Sequence, residues 1–129
     1  MYTFGVTLDL PFDAAAEKTI AALAAEKLGI VSDVNVAAIL KAKLGEDIGA
    51  YRILGACAPG LAKRVIEAVP TAGALLPCSV VVRSLGEGRT AVDFMDPVTV
   101  LGLAQSPATD AVAAEARAIL ERVCAALRA

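Results

Sequence analysis

The sequence predicts an α+β fold, a two-layer sandwich whose mixed or mostly antiparallel sheet of about four or five strands carries helices mainly on one face. Three observations lead there. Strand-like and helix-like segments alternate along the chain, and the closing pair of strands forms a hairpin, which makes it antiparallel. The strands also alternate apolar with polar residues, the pattern of a sheet covered on one face; solid apolar runs would mark burial on both.

Tyr2 to Leu10 opens the chain as a half-buried strand, with Tyr2, Phe4, Val6 and Leu8 on one side and Thr3, Thr7 and Asp9 towards the other. Pro11 stops it. Asp13 is placed to cap a helix running to about Leu28, with Ile20, Leu23, Ala24 and Leu28 as its inward stripe and Gly29 as its end. Ile30 to Val34 reads as a short second strand. Asn35 suits the N-cap of a second helix, with Val36, Ile39, Leu40 and Leu44 on one face and Lys41 and Lys43 outside; Gly45 closes it and 45–49 form a polar loop.

Ala50 to Ala56 is the third strand. Pro59 fits the first turn of a third helix, because the N–H it lacks would be unpaired there anyway. Leu61, Val65, Ile66 and Val69 make the buried side of that helix, which ends at Pro70. Cys78 to Leu85 and Arg89 to Met95 are apolar, β-branched runs around Gly86-Glu87-Gly88, a hairpin with a tight glycine-containing turn. Asp96-Pro97 ends the hairpin. Ser106-Pro107 opens the final helix in the favoured order, cap then proline, and Val112, Ala116, Ile119, Leu120, Val123 and Leu127 line its core face.

A chain of 129 residues is the size of one domain, spanning 1–129, and can hide roughly two-thirds of its unfolded surface. It is 57% hydrophobic with a mean hydropathy of +0.67, so few polar residues remain for the surface, and a partner chain is expected to cover part of it. A homodimer is the expected form. Net charge is −2 with both signs interspersed, and no basic stripe points to nucleic acid. No apolar stretch reaches the ~18 residues of a membrane span. The start, Met1-Tyr2-Thr3-Phe4, enters a strand pattern without the features of a signal peptide, and three cysteines are an odd number for a disulfide framework. A reducing cytoplasm is the expected location.

Three segments share one known pattern: Ser32-Asp33-Val34-Asn35-Val36 leading to Leu40-Lys41-Ala42-Lys43-Leu44-Gly45; Tyr51 to Ala62, with Cys57-Ala58-Pro59-Gly60; and Leu75-Leu76-Pro77-Cys78-Ser79-Val80-Val81-Val82-Arg83. With Met95-Asp96-Pro97 after them, they resemble the bacterial and archaeal family of domains of unknown function numbered 302. The resemblance covers about the whole chain. It implies an α/β sandwich similar in outline to the TATA-box-binding-protein class, often dimeric, and it implies no activity and no DNA binding. The chain departs from the family pattern where Ala58 and Ser79 replace asparagines, and where Asp33 and Asn35 replace glutamate and aspartate. Alanine at 58 gives up the helix cap that asparagine would supply before Pro59.

Cys57 leaves one strand and Cys78 enters another, so the sheet brings them near each other, and Cys57 precedes a helix N-terminus whose dipole favours a thiolate. Two readings stand side by side: a reactive or ligand-binding pair, and two small buried hydrophobes. With no histidine and no Cys-x-x-Cys, a zinc site would need mixed Cys/Asp ligands from distant segments, and neither a metal nor a cofactor is expected. Asp96 ends a strand, where sites gather, yet Asp-Pro is also turn chemistry. Asp33 and Arg52 sit in separate strands and are placed to pair with each other or with Asp96. The candidate site is therefore Cys57, Cys78, Ser79, Asp96, Arg52 and Asp33. The first functional expectation is a dimeric, non-catalytic module that holds a small ligand. The alternatives are a thiol-based redox or sulfur-handling enzyme or carrier using Cys57 and Cys78, and a structural partner domain without ligand.

Overall fold

Apolar side chains at every second strand position put one sheet face against the helices, and the architecture follows from that rule. The computed structural model describes residues 1–129. Strands β1 (Thr3–Leu8), β2 (Gly29–Asn35), β3 (Tyr51–Cys57), β4 (Cys78–Gly86) and β5 (Arg89–Met95) join in the order β1-β5-β4-β3-β2. Every pairing is antiparallel. The helices are α1 (Phe12–Ala25), α2 (Val36–Leu44), α3 (Pro59–Ala68), α4 (Pro97–Leu101) and α5 (Pro107–Arg128), with short 3-10 segments at Pro70–Leu75 and Gly102–Ala104.

Two apolar clusters hold these elements. The larger joins Leu54 and Ala56 of β3, Val80 and Val82 of β4 and Val92 and Phe94 of β5 to Leu23 of α1 and to Leu120, Val123 and Leu127 of α5. The smaller lies beyond the sheet, where Val65 of α3, Ala72, Leu101 of α4 and Val112 and Ala113 of α5 meet. In the larger one Phe94 stacks on Phe4, ring centroids 5.6 Å apart. The buried hydroxyls on that side are satisfied: Thr90 donates to the Leu10 carbonyl at 2.9 Å and Thr19 to the Ala15 carbonyl at 2.8 Å. Thr109, buried in the first turn of α5, has a hydroxyl with no partner.

Close approach of a neighbouring strand's backbone explains one glycine, and of neighbouring side chains another. A β-carbon at Gly5 would overlap the Val92 carbonyl oxygen, and one at Gly55 would overlap the Ser32 hydroxyl and stand 2.6 Å from Cγ of Pro77. The hairpin turn requires left-handed backbone, with φ of 80°, 55° and 72° at Gly86, Glu87 and Gly88.

Several local expectations need correcting. Tyr2 stands outside β1 and is exposed. Asp13 does not cap α1; the N-cap is Pro11, with no side-chain bond, and Asp13 lies in the first turn, where its charge still suits the helix dipole. The stop comes before Gly29. Lys27 takes the left-handed conformation and the Leu28 N–H reaches back to the Leu23 carbonyl at 3.0 Å, a Schellman-type end. Ala24 faces solvent while Thr19 occupies the inward stripe.

Asn35 does cap α2, accepting the Ala38 N–H at 2.9 Å. Yet α2 buries no residue: Ile39 is 43% and Leu44 64% exposed, since no other helix packs over their face.

Candidate functional site

β3 ends at Cys57 and the chain turns into α3, which packs on α5 and the 3-10 segment after it. Between α3, α5 and the end of the sheet lies a cavity of about 280 Å³. It occupies the seam of the two apolar clusters: Leu28 and Leu120 of the larger and Val65, Leu101 and Val112 of the smaller face it. Small residues leave the space unfilled, namely Ala58 just before α3, Ala62 on α3, Gly73 in the 3-10 segment and Ala116 on α5. The rim reaches the surface at Ile66, which is half exposed. Arg64 of α3 and Glu115 of α5 form an exposed ion pair, 2.7 Å, that ties the two helices together.

Cys57 and Cys78 both line this cavity, and both are free and partly buried. Cys78 stands opposite Ala56 in the β3–β4 register, so its side chain points to the helix layer, and Cys57 is the next residue along β3. Cys57 and Cys78 are the only lining residues with a side-chain heteroatom; the lining has no charged, hydroxyl or aromatic side chain. Burial, and then the nearby Cys57, push the Cys78 thiol up to about 11. The raised thiol stays protonated at neutral pH, so Cys78 is a weak nucleophile. No third metal-ligating side chain joins the pair.

The other four expected residues lie outside the cavity lining. Ser79 follows Cys78 and pairs with Gly55, so strand alternation turns it to the opposite sheet face. Asp33 and Arg52 do pair with each other: Nε and Nη2 of Arg52 donate to the two carboxylate oxygens of Asp33, at 3.1 and 2.5 Å. That hydrogen bonding holds the Asp33 carboxyl below its usual range and raises the Arg52 guanidinium. Asp96 is buried and structural in its contacts. One oxygen caps α4 by accepting the Val98 N–H at 3.0 Å, and the other accepts from Arg117 at 2.9 Å. The structure therefore brings Cys57 and Cys78 to one cavity and Asp33 to Arg52, and leaves Ser79 and Asp96 apart from both.

Residues 4–127 match the family model of the domain of unknown function DUF302. The chain belongs to that family. The crystal structure of an uncharacterized conserved protein DUF302 from Bacillus stearothermophilus is similar over 99% of each chain, with 26% sequence identity and a TM-score of 0.89. No curated protein matches the chain. DUF302 membership brings the fold and no assigned chemistry, so function rests on what this chain's own cavity can do. No helix of this DUF302 chain is long and apolar enough to cross a membrane.

Most of the residues that make the cavity are ones the site expectation left out. Leu61, Val112 and Ala116 read as ordinary inward positions of two helices, and Ala62 was given no place on the inward face. Their signal was size: alanines facing each other across a helix pair do not fill the space between them.

Proposed function

We propose that this chain is a non-catalytic module that binds a small apolar molecule in the cavity beneath α3 and acts as a homodimer. The cavity carries the reading. Its 280 Å³ is close to the lower end of the range of small-molecule pockets, roughly 300–1,000 Å³, and its lining is apolar, as such pockets usually are. The protonated state of Cys78 weighs against the thiol-enzyme alternative. The three free cysteines suit a reducing compartment such as the cytoplasm.

The dimer surface is the face of α2 and the open edge of β2. Val31, Val34, Ile39, Leu44 and Ile48 are all exposed within this one stretch of chain. Lys41 and Lys43 stand beside Glu46 and Asp47, so the patch carries both signs. A two-fold axis sets a patch against its own copy, and a patch of mixed sign is complementary to itself. A second copy of this chain is therefore the occupant.

Two experiments test the reading. Calorimetric titration with indane should show binding, and A62L/A116L, which fills the cavity, should weaken it at least tenfold while far-UV circular dichroism stays unchanged. Equal binding by this variant would place the ligand elsewhere, and no binding by the native chain would favour a structural domain without ligand. Light scattering should give twice 13.1 kDa, falling to 13.1 kDa in I39E/L44E. A native monomer at tens of micromolar would remove the dimer.

A further inference from the structure

We infer that the cavity's ligand is a neutral aromatic molecule of one or two fused rings, seated against the sulfurs of Cys57 and Cys78. This rests on the cavity being a binding site, and it names the class of ligand. The lining sets three conditions. No charged side chain and no hydroxyl reaches the cavity, so a carboxylate or phosphate entering it would lose its water and gain no partner. Such a ligand is strongly disfavoured.

The volume sets the second condition. A cavity of roughly 150 Å³ lined by leucine, isoleucine and phenylalanine stays dry and takes benzene. At about 280 Å³ this one has room for a second fused ring and not for a long chain.

The sulfurs set the third. The lining contains no aromatic side chain, so a ligand ring would be the first π-system the cavity offers these polarizable thiols. Saturated hydrocarbons meet only the dispersion that every aliphatic wall supplies. An aromatic ring gains the sulfur contacts in addition. Burial keeps Cys78 in its neutral thiol form, which suits a neutral ring better than a thiolate would.

The test compares indane with its saturated counterpart hydrindane, the two being matched in carbon count, on the full chain by calorimetry. Each affinity is referenced to that compound's own partition from water into hexane. Indane should bind about tenfold tighter on this scale, the combined effect of two sulfur–aromatic contacts. Indane-2-carboxylate should bind at least about a hundredfold more weakly than indane. In C57A/C78A the aromatic preference should vanish while hydrindane still binds. If hydrindane matches indane in the native chain, or if the preference survives in C57A/C78A, the aromatic assignment is wrong and the binding site stands. If neither hydrocarbon binds, the binding site itself is overturned, and the assignment with it.

Discussion

The two apolar clusters of this DUF302 domain are built to different standards of closure. Against the sheet the packing is branched and aromatic: Phe94 stacks on Phe4 of the neighbouring strand, and Val80, Val82 and Val92 lie beneath Leu23, Leu120 and Val123. Beyond the sheet, α3 and α5 meet partly through alanines, and a cavity of about 280 Å³ is left at the junction. Polar groups follow the same division. Thr19 and Thr90 find carbonyls on the sheet side, while the Thr109 hydroxyl near the second cluster finds none. The difference teaches that the first cluster supplies stability and the second leaves space, which a folded core does not keep for stability's sake.

The contrast can be broken most sharply in the closed cluster. Phe94→Ala should destabilise the fold by about 3–5 kcal/mol, read as a lowered denaturation midpoint in urea. A loss below about 1 kcal/mol would mean that the sheet cluster is as loosely filled as the seam.

The seam should show itself next through alkaline pH. Cys78 titrates at about 11 in the folded chain against 9.0 ordinarily. Folding favours the protonated thiol, so its contribution is complete below pH 9 and is lost as pH rises to about 11. The loss is on the order of 2 kcal/mol. Unfolding by urea between pH 8.5 and 11 should show the decline in the native chain and a flatter profile in Cys78→Ala. Parallel profiles would mean that Cys78 is not held away from water.

The smallest effect concerns the orphan hydroxyl. Thr109→Val keeps the side-chain shape and removes a buried group that nothing satisfies, and should stabilise by about 1 kcal/mol. The same change at Thr90 should destabilise, because it strips the Leu10 carbonyl of its donor. Equal effects at the two positions would erase the distinction between the clusters.

Much of the fold was legible because it depends on local pattern. The hairpin is there from Cys78 to Met95, with left-handed backbone at Gly86, Glu87 and Gly88, and Ser106 and Asn35 cap the helices that they announce. What failed depends on partners. The stripe Val36, Ile39, Leu40 and Leu44 has the right period, but period says only that a face is apolar and not what covers it. The end of α1 was misplaced because Lys27 takes a conformation usually left to glycine. Of the candidate site, Cys57 and Cys78 were legible from their places at a strand exit and a strand entrance. Ser79 was misplaced by a single residue of alternation. Ala62 and Ala116 carry no chemistry that could announce them, and the cavity follows from what those side chains lack.

Gly5 and Gly55 constrain the family's history as much as this fold. Each lies where a neighbouring strand or proline leaves no room for a β-carbon. At position 5 any other residue needs the backbone to move first, and at position 55 it needs the Ser32 hydroxyl to rotate and the Pro77 ring to give way. Neither residue lines the cavity. In a survey of DUF302 sequences, invariance at positions 5 and 55 would therefore record steric crowding, a signal separate from anything the cavity lining does.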